Sequence, residues 1–131
     1  MSENKNVQIV QHLYAAFAKR DIQTLLAALA DDVDWQLLGP AKIPHAGPHH
    51  GRDQVRRFFA TVAETLQVEQ FEPRDFIAQG DNVVALGYYA ARVKSTGRQY
   101  ASEWAHVFTL RNGKVTKFRE YADTANLAAA Y

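Results

Sequence analysis

The spacing of apolar residues changes partway along this chain, and that change limits the possible folds more than any other feature. In the first half, apolar residues recur every three or four positions, the period of a buried helix face. Beyond residue 82 they alternate or run almost continuously, as in strands. Helices followed by consecutive strands are typical of an α+β fold rather than a doubly wound one. Because the chain has only 131 residues, we predict a single domain spanning 1–131.

Three helices are predicted in the first half. Asp21 is the expected N-cap of the second helix, which the Asp31-Asp32 pair should end. A half-buried strand over 33–37 follows, then a loop over 39–51 rich in proline, glycine and histidine. The three apolar faces comprise Val7, Val10, Leu13, Tyr14 and Phe17; Ile22, Leu25, Leu26 and Leu29; and Val55, Phe58, Phe59, Val62 and Leu66.

The second half reads as an antiparallel meander. Pro73 interrupts the first of its strands, which predicts an edge strand or a bulge there. Asn112-Gly113 is a strong hairpin signal. Asp123-Thr124 could cap a short C-terminal helix. The predicted strands cover 68–78, 82–93, 99–110 and 114–121.

Composition excludes several classes of function. The chain has no cysteine, so disulfides, thiolate catalysis and cysteine-based zinc sites are ruled out. The formal net charge is +1 and no basic run occurs, so we expect no nucleic-acid partner. No apolar stretch reaches membrane-spanning length, and the N-terminus lacks the apolar segment of a signal peptide. We therefore expect a cytoplasmic protein without a membrane partner.

Four stretches carry a family resemblance: YAAF at 14–17 with Asp21, LADDVDW at 29–35, HHGRDQVRRFF at 49–59, and EWAHVFTLRNGKVTKFREYADT at 103–124. With their spacing, they resemble the SnoaL-like branch of the ketosteroid isomerase and nuclear transport factor superfamily. The resemblance implies a cone-shaped roll of the cystatin-like type: a curved antiparallel sheet wrapped by three helices, with a short C-terminal helix. It also implies a homodimer. That superfamily includes isomerases, epoxide hydrolases, polyketide cyclases and non-catalytic binding proteins, so the reaction stays open.

The candidate catalytic residues are His106 and Glu120. Strand alternation puts His106 on the same face of its strand as Trp104, and Glu120 on the same face of the next strand as Phe118. By the family resemblance, both sets match the concave face. On neighbouring strands, their side chains should lie about 5 Å apart. A carboxylate beside an imidazole can transfer protons near neutral pH. A satisfied structural pair is the alternative.

Further residues are candidates for ligand contact. Trp35 and Trp104 could equally be core, and helix packing is the plainer interpretation of Tyr14. His45, His49 and His50 lack a nearby carboxylate, so we predict no metal site; His49 or His50 is instead expected at the pocket rim. No cofactor is expected. The ligand-binding candidates are Tyr14, Phe17, Trp35, Leu37, His50, Phe59, Tyr89, Trp104, Phe118 and Ala122.

The chain departs from the ketosteroid isomerase pattern. Alignment by hand puts Leu37 at the position of the general base and His106 at that of the protonated aspartic acid. The tyrosine position falls on Leu13, beside Tyr14. We therefore do not expect steroid isomerisation by that mechanism.

The epoxide hydrolase pattern is also incomplete. Its Arg and Asp positions on the long strand hold Gly87 and Tyr89, and only its acidic position on the last strand is kept, as Glu120. An acid–base residue without cofactor, as in SnoaL-type cyclases, is compatible with His106 and Glu120. The leading hypothesis is a cofactor-free isomerase, cyclase or hydrolase acting on a small, mostly apolar carbonyl compound.

Two other hypotheses belong to different classes. One is a non-catalytic domain that binds a small molecule in the same pocket. The other is an interaction domain with a vestigial pocket. In either case, a homodimer is expected through the convex sheet face, which would otherwise expose an apolar patch. The predicted patch comprises Val84, Leu86, Tyr88, Val107 and Tyr121.

Overall fold

The computed structural model describes residues 2–131, which form helices and one six-stranded curved sheet. The α+β class predicted from the sequence is confirmed. The helices are α1 (Glu3–Ala18), α2 (Ile22–Ala27), α3 (Gly51–Thr65) and α4 (Thr124–Ala130). The strands are β1 (Leu29–Leu37), β2 (Gly47–His50), β3 (Leu66–Gln79), β4 (Asn82–Val93), β5 (Gln99–Arg111) and β6 (Lys114–Ala122).

The sheet order is β2-β1-β6-β5-β4-β3, with β3 to β6 forming the predicted antiparallel meander. One pair differs from a purely antiparallel sheet, because β1 runs parallel to β6. Helix α3 connects β2 at one edge of the sheet to β3 at the other edge. These two edge strands do not pair with each other, so the sheet is open. Helix α1 packs on β3 and β4, and α3 packs on β1. Together they cover the concave face.

Short polar side chains begin three of the helices. The Ser2 and Asp21 side chains accept hydrogen bonds from the backbone N–H groups of Lys5 and Thr24. Asp123 does the same for Asn126 at the start of α4. The caps predicted at Asp21 and Asp123 are therefore present, and each satisfies a backbone donor that the helix itself cannot.

The predicted end of the second helix is wrong. Helix α2 ends at Ala27, and Leu29, Asp31 and Asp32 belong to β1. The Val115 N–H donates to the Ala28 carbonyl, and Leu29 pairs with Val115. Pairing with β6 therefore outweighs the helical spacing of the leucines.

The prediction that the histidine-rich segment 39–51 is entirely loop is wrong, because residues 47–50 form β2 against β1. Gly47 begins this strand and Gly51 follows it, with φ angles of 96° and 80° that residues other than glycine rarely adopt. Pro48 is compatible with β2 because that strand lies at the sheet edge.

Pro73 lies where the sequence predicted irregularity. Strand β3 is the opposite edge of the sheet, and its register shifts between Pro73 and Asp75 and again between Val68 and Gln70. Bulges of this kind bend a strand and increase its twist. Both helices on the concave face therefore meet a curved surface. Among residues 2–131, no helix has the length and apolar character needed to span a bilayer.

Candidate functional site

A cavity of about 70 Å³ lies between the concave face of the sheet and helices α1 and α3. Most of the residues that line it are aromatic, and several are candidates from the sequence analysis. The nominated residues that line it are Tyr14, Phe17, Trp35, Phe59, Tyr89, His106, Phe118 and Glu120.

His106 and Glu120 face each other across β5 and β6. The strand register pairs them directly, as the alternation predicts. His106 Nε2 lies 3.5 Å from Glu120 Oε2, and the two side chains are 6% and 13% exposed. At this distance the two groups attract, yet within the described chain His106 Nε2 makes no hydrogen bond.

Tyr14 holds the other side of the same imidazole. Its Oη lies 2.6 Å from His106 Nδ1. Burial, together with the nearby Glu120 charge, raises the pKa of Tyr14 well above its ordinary value. The phenol therefore keeps its proton; when it donates a hydrogen bond to Nδ1, a neutral imidazole carries its own proton on Nε2, facing Glu120.

Aromatic rings fix the plane of His106. Trp104 stacks on it with ring centroids 3.9 Å apart and an angle of 15° between the planes. Phe71 stacks in turn on Trp104 at 5.1 Å. A Cβ atom at Gly87 would overlap the Trp104 ring and the backbone carbonyl of Glu72. Because Gly87 has no Cβ atom, the Trp104 ring can occupy this position and stack on the imidazole.

Glu120 dominates the electrostatics of the cavity, since no other carboxylate lies among its described lining residues. Burial, with a smaller contribution from Glu120, raises the pKa of Tyr89 well above its ordinary value. Both phenols on the cavity wall, Tyr14 and Tyr89, are therefore neutral at physiological pH.

His45 lines the cavity although the sequence did not nominate it. It is 4% exposed, and its ring packs edge-on against Phe58 at 5.5 Å. Burial lowers the pKa of His45 to about 4, so the ring is neutral near pH 7. One feature of the sequence could have predicted the buried position of His45. Ile43, two residues earlier, is apolar within an otherwise polar loop, and it is 1% exposed.

The other loop histidines lie elsewhere. His50, predicted at the rim, is exposed on β2 and does not line the cavity; its backbone N–H donates to Gln54. His49 is half-buried and packs against Phe58 from outside the cavity. In residues 2–131, no cluster of three histidine, aspartate or glutamate side chains could hold a metal ion.

Three more nominated residues lie outside the cavity wall. Leu37 is buried in the core. Trp104 sits behind His106, and Ala122 pairs with Trp104 at the end of β6. Trp35 is both wall and core, because it lines the cavity while stacking on Phe118 at 3.8 Å.

A wider groove of about 830 Å³ adjoins the cavity between α1, α3 and β3. The two spaces share walls at Phe17, Phe59 and Phe71. The groove therefore lies directly beside the cavity, on the other side of these shared side chains.

Comparisons with known proteins agree on the family. A family model described as a SnoaL-like domain matches residues 10–118. The crystal structure of an NTF2-like protein from Burkholderia xenovorans is 39% identical, with 99% of this chain and 98% of that one covered and a TM-score of 0.91. TerC, co-crystallized with polyporic acid, is 29% identical over 96% of this chain and 97% of its own, with a TM-score of 0.86. An uncharacterized protein of Mycobacterium tuberculosis is 25% identical over 95% of each chain.

Proposed function

The chain belongs to the SnoaL-like domain family, and from that premise we propose that it binds a small, mostly apolar carbonyl compound and moves a proton on it without a cofactor. The observation that carries the proposal is the single carboxylate of Glu120 in an aromatic cavity, beside an imidazole that Tyr14 orients. Glu120 would remove a proton from the carbon next to the carbonyl group. Trp35, Phe59 and Phe118 would hold the apolar body of the ligand.

The polar groups of the cavity are difficult to explain by stability alone. A buried carboxylate costs several kcal/mol in lost hydration, and its attraction to a neighbour often returns no more than that. Apolar residues of similar volume would pack there at no such cost. A carboxylate that is 13% exposed and faces an imidazole is instead suited to proton transfer, because its surroundings are dry and its partner is oriented.

The size of the cavity supports a ligand with a small reactive end. The cavity is about 70 Å³ and adjoins a groove of about 830 Å³. A carbonyl group and its neighbouring carbon fit beside Glu120, while a larger body extends past Phe17 and Phe59. The similar TerC, which was co-crystallized with polyporic acid, supports an organic ligand in this fold.

Hydrogen–deuterium exchange tests the proposal without knowledge of the natural substrate. Acetophenone has an aromatic body, a carbonyl group and exchangeable methyl protons beside it. In D₂O, the protein should accelerate methyl exchange, followed by proton NMR, and Glu120→Gln should lower that rate by roughly 10²–10⁴. Glu103→Gln, on an exposed residue of β5, is the matched control.

Two results would contradict the proposal. Equal exchange rates for the wild type and Glu120→Gln would remove the base. Binding of acetophenone without any acceleration would favour the alternative function, a non-catalytic binding domain that uses the same cavity.

We further propose that two copies associate through the convex sheet face. Tyr121 is 47% exposed there, and Val84, Leu86, Tyr88 and Val107 are half-buried in one chain. An apolar surface across adjacent strands of the sheet is stabilised when a second copy covers it.

A further inference from the structure

Two polar groups of the cavity, His45 and Tyr89, have no role in the function proposed above. His45 lies on the segment before β2 and is 4% exposed, and its Nδ1 has no hydrogen-bond partner anywhere in residues 2–131. A buried polar atom left unpaired costs about 1–3 kcal/mol. Because His45 lines the cavity, a ligand bound there can supply that partner.

His106 is poorly placed to be that ligand-binding group. Its Nδ1 is taken by Tyr14, and its Nε2 faces Glu120. A ligand oxygen that accepted a bond from Nε2 would have to compete with a carboxylate for the same proton. Another donor is therefore needed for the carbonyl oxygen if Glu120 is to remove the proton beside it.

We propose that His45 donates a hydrogen bond to the carbonyl oxygen of the ligand while Glu120 removes the proton from the adjacent carbon. The proposal rests on the proposed function and adds the group that binds the developing negative charge. The electron pair of the broken C–H bond forms the carbon–carbon double bond, and the carbonyl oxygen gains the charge. The proton passes to Glu120, where it can exchange with solvent before a proton or deuteron returns to carbon, and His45 is not itself deprotonated in the step.

The surroundings of His45 suit a neutral donor. Burial is the main cause of its low pKa of about 4, and His49 on β2 lowers it further, whereas Glu120 on β6 acts in the opposite direction. The Phe58 ring of α3 and the Tyr131 ring after α4 are its other neighbours, at 5.5 and 6.4 Å. A neutral imidazole stabilises an oxyanion as a hydrogen-bond donor, a role documented for other proton-transfer enzymes.

Trp35 offers a second donor in the same region. Its Nε1 is also buried without a partner in the described chain, and an indole nitrogen can only donate. Both Trp35 and His45 pack edge-on against Phe58, at 6.0 and 5.5 Å. Trp35 is therefore a further cavity residue with a buried donor that lacks a partner.

Infrared spectroscopy of bound acetophenone tests the proposal directly. A hydrogen bond from His45 should move the carbonyl stretching band to lower wavenumber on binding. His45→Phe, which replaces the imidazole by a ring without a donor, should abolish most of that shift. His49→Phe is the matched control, because His49 packs against the same Phe58 ring but does not line the cavity.

A second measurement needs no variant, so it holds even if His45→Phe does not fold. In wild-type protein with ¹⁵N-labelled histidine, acetophenone should shift the His45 ring nitrogens and leave those of His49 in place. An unchanged His45 signal in saturated protein overturns the proposal, as does a carbonyl band that His45→Phe leaves at its wild-type position. Failure of acetophenone to bind also counts against it.

The proposal and the proposed function can fail separately. Methyl exchange that depends on Glu120 but not on His45 would leave the base in place and remove the donor. A carbonyl shift that depends on His45, without exchange, would keep the donor and make the protein a binding domain.

Discussion

The hydroxyl of Tyr14 and Nδ1 of His106 lie 2.6 Å apart although 92 positions separate them in the chain. The contact joins the middle of α1 to the concave face of β5, so it ties a covering helix to the sheet. It also orients the imidazole, with Nδ1 towards Tyr14 and Nε2 towards Glu120.

Tyr14→Phe should therefore impair both stability and chemistry. The change leaves Nδ1 buried without a donor, which should lower the free energy of unfolding by about 1–3 kcal/mol. It also frees the imidazole to adopt either tautomer, so acetophenone exchange should fall while binding changes little. Urea unfolding and the NMR exchange assay measure the two effects. Tyr121→Phe, on the convex face, should change neither.

The low pKa of His45 makes stability depend on pH. The group titrates at about 4 in the folded protein and near its ordinary value of 6.5 when unfolded, so acid favours the unfolded state. Its stabilising contribution is complete above pH 6.5 and is lost as the pH falls through 4. The loss should approach about 3 kcal/mol.

Comparison with His45→Phe isolates that contribution from those of the carboxylates. Urea unfolding of both proteins at pH 4, 5, 6 and 7 should show the difference between them changing in favour of the variant as the pH falls. A difference that stays constant over this range would mean that His45 titrates normally in the folded protein.

Gly87→Ala should displace Trp104. The added methyl group would overlap the indole ring and the Glu72 carbonyl, and overpacking of this kind costs about 1–3 kcal/mol. Because Trp104 stacks on His106, the exchange activity should fall as well. Tryptophan fluorescence and urea unfolding report the displacement.

A second substitution identifies the cause. Trp104→Phe introduces a smaller ring, so the double variant should recover part of the stability that Gly87→Ala loses, giving a favourable coupling energy. Additive effects would place the strain elsewhere, for example at the backbone carbonyl.

The proposed dimer can be tested by sedimentation at tens of micromolar. The wild type should sediment as a dimer. Tyr121→Asp, which adds a charge within the proposed interface, should give monomers because burying that carboxylate is costly. His12→Asp on the exposed side of α1 is the control and should stay dimeric. A monomeric wild type would refute the interface.

The sequence by itself determined the local relationships of the site. The expectation that His106 and Glu120 share a face came from the period of two along each strand, matched to the concave face of the family. Their direct pairing also depends on a register shift between Thr109 and Leu110, because the register beside the tight Asn112-Gly113 turn would by itself pair His106 with Arg119. Pro73 likewise marked an edge strand with a bulge, because proline lacks the N–H that a central strand needs.

Only the tertiary structure decided which distant groups complete the site. The parallel pairing of β1 with β6, the inward position of His45 and the exposure of His50 all depend on segments far apart in the chain. Tyr14 occupies a helix face that any core could bury, and its role depends on the ring opposite it. Loop histidines carry no periodic pattern, so their direction is set by the packing of Ile43 and Phe58 rather than by their neighbours in sequence.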